Sequence, residues 1–183
     1  MTRIIAGSWG GRRLATLSGA TTRPTTDRVR EALFASIASE LGGWNGVRVL
    51  DLFAGSGALA LESLSRGAEH ADLVESNGKA AGVVSRNIRE LGAHDARLHR
   101  TTAERFLAAA PAEPYHLVFL DPPYALETSA LQKLVARLTI GDWRTDDSLL
   151  VVERSSRDPW SWPDGVDALR DKAYGETHLW YGR

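Results

Sequence analysis

"VLDLFAGSGALALE", residues 49–62, changes character midway. An apolar run of strand type leads into Gly55 and Gly57, and a helical pattern follows. The two glycines allow a tight turn and a close approach of backbone to a ligand. The helix beginning after Gly57 directs its free N–H groups into the loop, which favours an anionic group there. "GSGALA" (55–60) satisfies GxGxxG/A. By itself that pattern admits a nicotinamide cofactor, a flavin, S-adenosylmethionine or a plain tight turn.

Two acids narrow the choice. Asp51 lies four positions before Gly55, at the end of the strand. A pyrophosphate in the loop gains nothing from it, whereas the ammonium and sulfonium of S-adenosylmethionine tolerate an acid. Glu75 closes the next apolar run, 20 residues past Gly55, where an acid accepts hydrogen bonds from both ribose hydroxyls. A solvated acid at a strand end is the plainer reading of Glu75.

The pattern around the loop is a repeated βα alternation. Strands are expected at 47–53, 71–76, 96–101, 115–120 and 148–154, with helices near 57–66, 78–91, 103–109 and 126–138. Repeated βα units call for a mostly parallel sheet covered on both faces. Residues 166–183 hold two more strands around Gly175, an antiparallel hairpin. Ahead of the core, 3–7 and 12–17 flank "SWGG" and read as a second hairpin. "SGATTRPTT" (18–26) is a loop in which Thr26 caps a helix, whose apolar face is Val29, Leu33, Ile37 and Leu41. The expected division is an N-terminal hairpin and basic arm at 1–24, then one domain from 25 to 183.

Asp51, Glu75, Thr102 and Asp121 each close an expected strand. Ligands of open α/β sheets bind outside the carboxyl ends of the strands, so these residues should line one cleft. Asp121 opens "DPPY" (121–124). An exocyclic amine on a base is a poor nucleophile, because its lone pair is delocalised into the ring. Asp121 and the Pro122 carbonyl can each accept one N–H and turn that lone pair outward. Pro122 and Pro123 fix φ and hold the carbonyl in place. Tyr124 offers a flat surface for an extruded base. Such a site works mainly by positioning. A loop that merely contains two prolines is the plain alternative.

Composition sets further limits. The 183 residues are 43% hydrophobic, enough for a sizeable core. No apolar run reaches membrane-spanning length, and "MTRIIAGSWGG" does not read as a signal peptide, so the expected location is cytoplasmic. The absence of cysteine excludes disulfides, thiolate metal sites and a thiol nucleophile. The five histidines show no metal-ligand spacing, so no metal is expected. Net charge is −1, but residues 1–30 carry six arginines against one acid. A basic arm on an acidic body fits an anionic partner such as nucleic acid.

"VLDLFAGSGALALE", "VES" and "LDPPY" resemble the motifs of class I S-adenosylmethionine-dependent amino-methyltransferases. With "RIIAGSWGGRRL" (3–14) and "RPTTDRVREALF" (23–34), the chain is similar to the RsmD family of bacterial 16S ribosomal RNA guanine-N2 methyltransferases. The resemblance implies a Rossmann-like α/β sheet of seven strands, mostly parallel, whose last hairpin is antiparallel, preceded by a small N-terminal hairpin. It implies that Asp51, Phe53, Ala54, Gly55, Ser56 and Gly57 hold the methionine end of S-adenosylmethionine, and that Glu75 and Ser76 lie at the ribose and adenine. Ala103 would lie beside the adenine through its backbone. The preceding position is often Asp or Asn in such enzymes; here Thr102 offers a hydroxyl. Ser76 likewise offers little apolar surface to the adenine. Arg12, Arg13, Arg23, Arg28 and Arg30 would engage RNA phosphates, with a solvated helix face the equal alternative for Arg28 and Arg30, and Trp9 would either stack on a nucleotide or pack on its own hairpin. The expected partner is 16S ribosomal RNA or the small ribosomal subunit, and the expected state a monomer. Competing readings are a DNA adenine-N6 methyltransferase, a nicotinamide-dependent oxidoreductase and a non-catalytic RNA-binding module. The first usually carries a large target-recognition region, and the second leaves Asp51 and DPPY unexplained.

Overall fold

A computed structural model describes residues 2–17 and 27–183. The loop expected at 18–26, with its Thr26 cap and Arg23, lies outside the described residues. Seven strands form the main sheet: β3 (Arg48–Asp51), β4 (His70–Val74), β5 (Ala96–His99), β6 (Tyr115–Leu120), β7 (Arg144–Ser155), β8 (Ala168–Tyr174) and β9 (Thr177–Gly182). Their order is β5-β4-β3-β6-β7-β9-β8. The β4–β5, β3–β4, β3–β6 and β6–β7 pairs are parallel, and β9 is antiparallel to both neighbours. The chain leaves β3 in one direction and returns to β6 on its other side. That reversal opens a crevice between the carboxyl ends of β3 and β6.

Alternation along the strands divides the interior in two. Val49, Leu73, Phe119 and Val151 face α1 (Asp27–Leu41), α2 (Ala58–Ser65) and α3 (Gly78–Leu91), where Phe34, Ile37, Leu61 and Val84 are buried. Leu50, Val118, Leu120 and Val152 face α4 (Ala103–Phe106) and α5 (Thr128–Leu138), against Leu131, Val135 and Leu138. Each such side chain contributes about 1.5–3 kcal/mol by leaving water. The expected elements are present with shifted ends. β3 stops at Asp51 because Leu52 and Phe53 already turn into the glycine loop, although the Leu52 N–H still donates to the Phe119 carbonyl. α4 ends at Phe106, short of the expected 109.

The N-terminal hairpin departs most from expectation. Its strands, β1 (Thr2–Arg3) and β2 (Arg13–Leu14), have two residues each. Ile4 still bonds across to Gly11 and Arg12, but Ile5, Ala6, Ser8 and Trp9 turn their N–H groups to α2. Ile5 and Ala6 N–H donate to the buried Glu62 carboxylate at 2.7 and 3.0 Å. Ser8 N–H donates to the Ser65 carbonyl, and Trp9 N–H to Ser65 Oγ. Gly7, at φ +83°, allows this contact, since a Cβ there would lie 1.8 Å from the Ser65 carbonyl oxygen. Arg30 of α1 closes the joint by donating to the Arg3 carbonyl.

Candidate active site

The glycine loop is shaped from below and from the side. Gly57 caps α2 at φ +81°, with its N–H on the Ala54 carbonyl. Asp51 is 1% exposed, and its Oδ1 accepts from Phe53 N–H at 3.3 Å. Burial, reinforced by the charge of Glu75, pushes the Asp51 carboxyl up to about 7. The expected cation-facing acid therefore sits beneath the loop, turned to the backbone N–H groups of Phe53 and Ala60. Glu75 acts from the side. Its Oε2 accepts from Gly55 N–H at 2.8 Å and its Oε1 from Asn77 N–H at 2.7 Å. A carboxylate has about four acceptor sites, so two remain for ribose hydroxyls.

These loops border an open cleft of about 530 Å³. Its lining includes Phe53, Gly55, Glu75 and Ser76 from the β3 and β4 ends. Thr102 and Ala103 line the β5 side, and Asp121 and Pro123 the β6 side. Four strand ends from distant parts of the sequence thus converge. Thr102 faces the cleft, but its hydroxyl oxygen already accepts from Arg105 N–H at 3.2 Å as the N-cap of α4. Pro122 is buried and Tyr124 is 52% exposed at the rim.

Sequence reasoning missed several wall residues. Asn77 lines the cleft and caps α3, its Oδ1 accepting from Lys79 and Ala80 N–H. An Asn before a helical run is a readable cap. Leu17 also lines the cleft, arriving from the N-terminal arm with no local signal. Behind the wall, buried Asp72 accepts from His70, His99 and the Tyr115 hydroxyl at 3.0, 2.6 and 2.7 Å. Burial alone would raise its pKa. The His99 and Tyr115 hydrogen bonds, together with the electrostatic influence of His70 and His99, outweigh it and hold the carboxyl below its usual range. The same contact and burial push the Tyr115 hydroxyl up. An acid in mid-strand, "ADLV", was the available sign of that network.

The basic arm separates into two groups. Arg13 and Arg28 are exposed. Arg12 is also exposed, with its guanidinium donating to the Glu90 carbonyl. Arg30, expected among the phosphate-binding residues, is 8% exposed. Burial lowers its pKa, and its guanidinium joins α1 to the hairpin. Trp9 is half-buried and packs against the core.

The cleft fits S-adenosylmethionine on its own geometry. At Gly55 a Cβ would meet nothing within 4 Å, so the loop backbone is open to a ligand. Leu52, Val74, Ala103 and Leu126 give apolar walls, and Glu75 keeps acceptor capacity. Sheet order, reversed last hairpin and cleft together define a class I methyltransferase.

The family described as "Conserved hypothetical protein 95" matches residues 2–183. The chain is 44% identical over 185 residues to the Bacillus subtilis protein named "Putative rRNA methyltransferase YlbH", covering 96% of this chain and 95% of that one. It is 40% identical over 151 residues to the "Ribosomal RNA small subunit methyltransferase D" of Escherichia coli strain K12, covering 82% and 73%. A solved structure titled "Putative methyltransferase yhhF from Escherichia coli" superposes with a TM-score of 0.84 at 36% identity, over 99% of this chain and 96% of that one. The chain belongs to this family of RsmD-type methyltransferases. No helix among the described residues is long and apolar enough to cross a membrane.

Proposed function

We propose that this protein transfers a methyl group from S-adenosylmethionine to the exocyclic N2 amine of a guanine in 16S ribosomal RNA, the RsmD-type position 966. The observation that carries the reading is the meeting of Asp121 and Pro123 with Gly55 and Glu75 in one cleft. Relatives named for small-subunit ribosomal RNA support the substrate class. The sulfonium supplies an already activated methyl group, so the protein's task is positioning.

Glu75 holds the ribose hydroxyls and, through Gly55 N–H, the loop beside them. Asp121 and the Pro122 carbonyl accept the two N–H groups of the amine and turn its lone pair toward the methyl. The N–C bond would form as the methyl–sulfur bond breaks, its electron pair staying on sulfur and S-adenosylhomocysteine leaving, and the excess proton of the now cationic amine would depart by way of the Asp121 carboxylate. Tyr124 carries the extruded base, while exposed Arg13 and Arg28 bear on phosphates, which position without reading sequence. The small ribosomal subunit, or its RNA, is the partner, in the cytoplasm, with the protein acting as a monomer.

The test supplies methyl-labelled S-adenosylmethionine with small ribosomal subunits, naked 16S RNA or duplex DNA, and identifies the modified nucleoside. Label in N2-methylguanine of ribosomal RNA is expected. Label in N6-methyladenine, or none in any RNA, sinks the proposal.

A further inference from the structure

The buried stripe of α3 is Ala80, Ala81, Val84, Asn87 and Leu91. One member of this apolar face is an amide. Asn87 is 1% exposed, and a buried amide is costly unless its hydrogen-bonding groups are met. Here they are met by two separate segments. Asn87 Oδ1 accepts from Ala15 N–H at 2.8 Å. Its Nδ2 donates to the Ala15 carbonyl at 3.0 Å and to the Ser56 carbonyl at 2.9 Å. Both N–H groups of the amide are used, one on each segment.

Both segments run on to residues that line the cleft. Ser56 sits between Gly55 and Gly57 in the glycine loop. Ala15 lies two residues before Leu17, which lines the same cleft. The rest of the hairpin is held through Glu62 and Ser65 on α2, through Arg30 of α1 on the Arg3 carbonyl, and through exposed Arg12 on the Glu90 carbonyl near the end of α3. Only the side-chain chemistry of asparagine serves both segments. Leucine would orphan three backbone groups, and aspartate would set a carboxylate against two carbonyls.

We infer that Asn87 is a positioning residue that couples occupancy of the cofactor cleft to placement of the N-terminal arm for RNA. The inference rests on the cofactor and RNA readings above. A ligand that fixes the glycine loop fixes the Ser56 carbonyl, hence the amide, and hence Ala15. By linkage, RNA that fixes the arm tightens the cofactor by the same factor, typically about 5- to 150-fold.

The test is amide hydrogen exchange of the native full chain with and without S-adenosylhomocysteine, after calorimetry has established that the ligand binds. The expected result is at least about fivefold slower exchange at Ala15. Ile5, whose N–H is on Glu62, is the internal reference and should change less. Equal slowing at Ile5 and Ala15 would mean general ligand stabilisation and overturns the coupling, as does unchanged Ala15. In Asn87→Ala, S-adenosylhomocysteine should no longer tighten the binding of small ribosomal subunits; persistence of the native ratio overturns the inference. If that variant does not fold, the native exchange result decides alone. Failure of calorimetric binding would instead strike the cofactor reading, and failure of subunit binding without ligand the RNA reading.

Discussion

The glycine loop (54–57) and the DPPY loop (121–124) follow neighbouring parallel strands and border the same cleft, yet they are held differently. Around the glycine loop, Glu75 takes Gly55 N–H, Asn87 holds the Ser56 carbonyl, and Asp51 lies buried underneath. The DPPY loop relies on covalent stiffness. Two prolines fix its middle, and Leu126 N–H closes a turn onto the Pro123 carbonyl. A buried arginine anchors its far end, with Arg154 Nη1 donating to the Leu126 carbonyl at 3.0 Å and Nη2 to Thr128 Oγ1 at 3.3 Å. Tyr124 remains half in solvent. The cofactor side is thus shaped by convergent side chains, whose hydrogen bonds a bound ligand can tighten further. The DPPY side is fixed at its base and exposed at its rim, which suits the proposed stacking of a nucleotide there.

The sharpest way to break this comparison is Asp121→Ala. If amine orientation belongs to the DPPY side alone, methyl transfer falls by about 10³-fold or more, on the scale of losing a positioned general base together with an orienting contact. Cofactor affinity stays within about threefold, since Glu75 and the glycine loop are untouched. Single-turnover kinetics beside calorimetry separate the two readouts. Near-native turnover would remove Asp121 from the chemistry. A large loss of cofactor affinity would show that the halves are not independent.

Much of this arrangement was legible in the sequence, for a physical reason. Strand ends and tight turns are local features, so Gly55, Gly57, Glu75 and DPPY declared themselves through spacing and backbone constraint. What stayed hidden depends on contacts between residues 27 to 72 positions apart in the chain. Asn87 reads as one polar residue in an amphipathic helix, and only its meeting with Ala15 and Ser56 gives it meaning. Arg30 reads as surface charge until the hairpin folds over it. The hairpin strands were overestimated because periodicity cannot show that Glu62 and Ser65 compete for their backbone groups. Asp51 was placed at the correct strand end, while burial decided that it supports the loop from beneath.

That burial gives the second prediction, which concerns the cofactor side. Asp51 titrates near 7 in the folded protein and from 3.8 as its ordinary value. The folded state therefore holds a proton that the unfolded chain has released. Stability from this group is present below about pH 4 and declines as pH rises toward 7, by up to about 1.4 kcal/mol per pH unit. Between pH 5 and 6.5 the loss is about 2 kcal/mol. Asp51→Asn keeps an oxygen for Phe53 N–H and removes the titration, so its urea-unfolding free energy should lose that part of the slope. Parallel pH profiles for the two proteins would mean that the loop is not built over a strained carboxyl.

The smallest expected effect lies at the exposed rim. Tyr124→Ala removes the proposed stacking surface without touching the glycine loop. Base–aromatic stacking contributes about 1–3 kcal/mol, so the RNA KM should rise about tenfold while cofactor affinity holds. Tyr124→Phe keeps the ring and should stay within about twofold of native, because stacking uses the π face and not the hydroxyl. Steady-state kinetics on small ribosomal subunits distinguish the outcomes. If Phe fails as badly as Ala, the hydroxyl carries the function, and the rim is a polar contact point instead of a stacking platform. If Ala is as good as native, the base is carried elsewhere, and the open side of the cleft must find its nucleotide through the backbone of DPPY and the arginines of the arm.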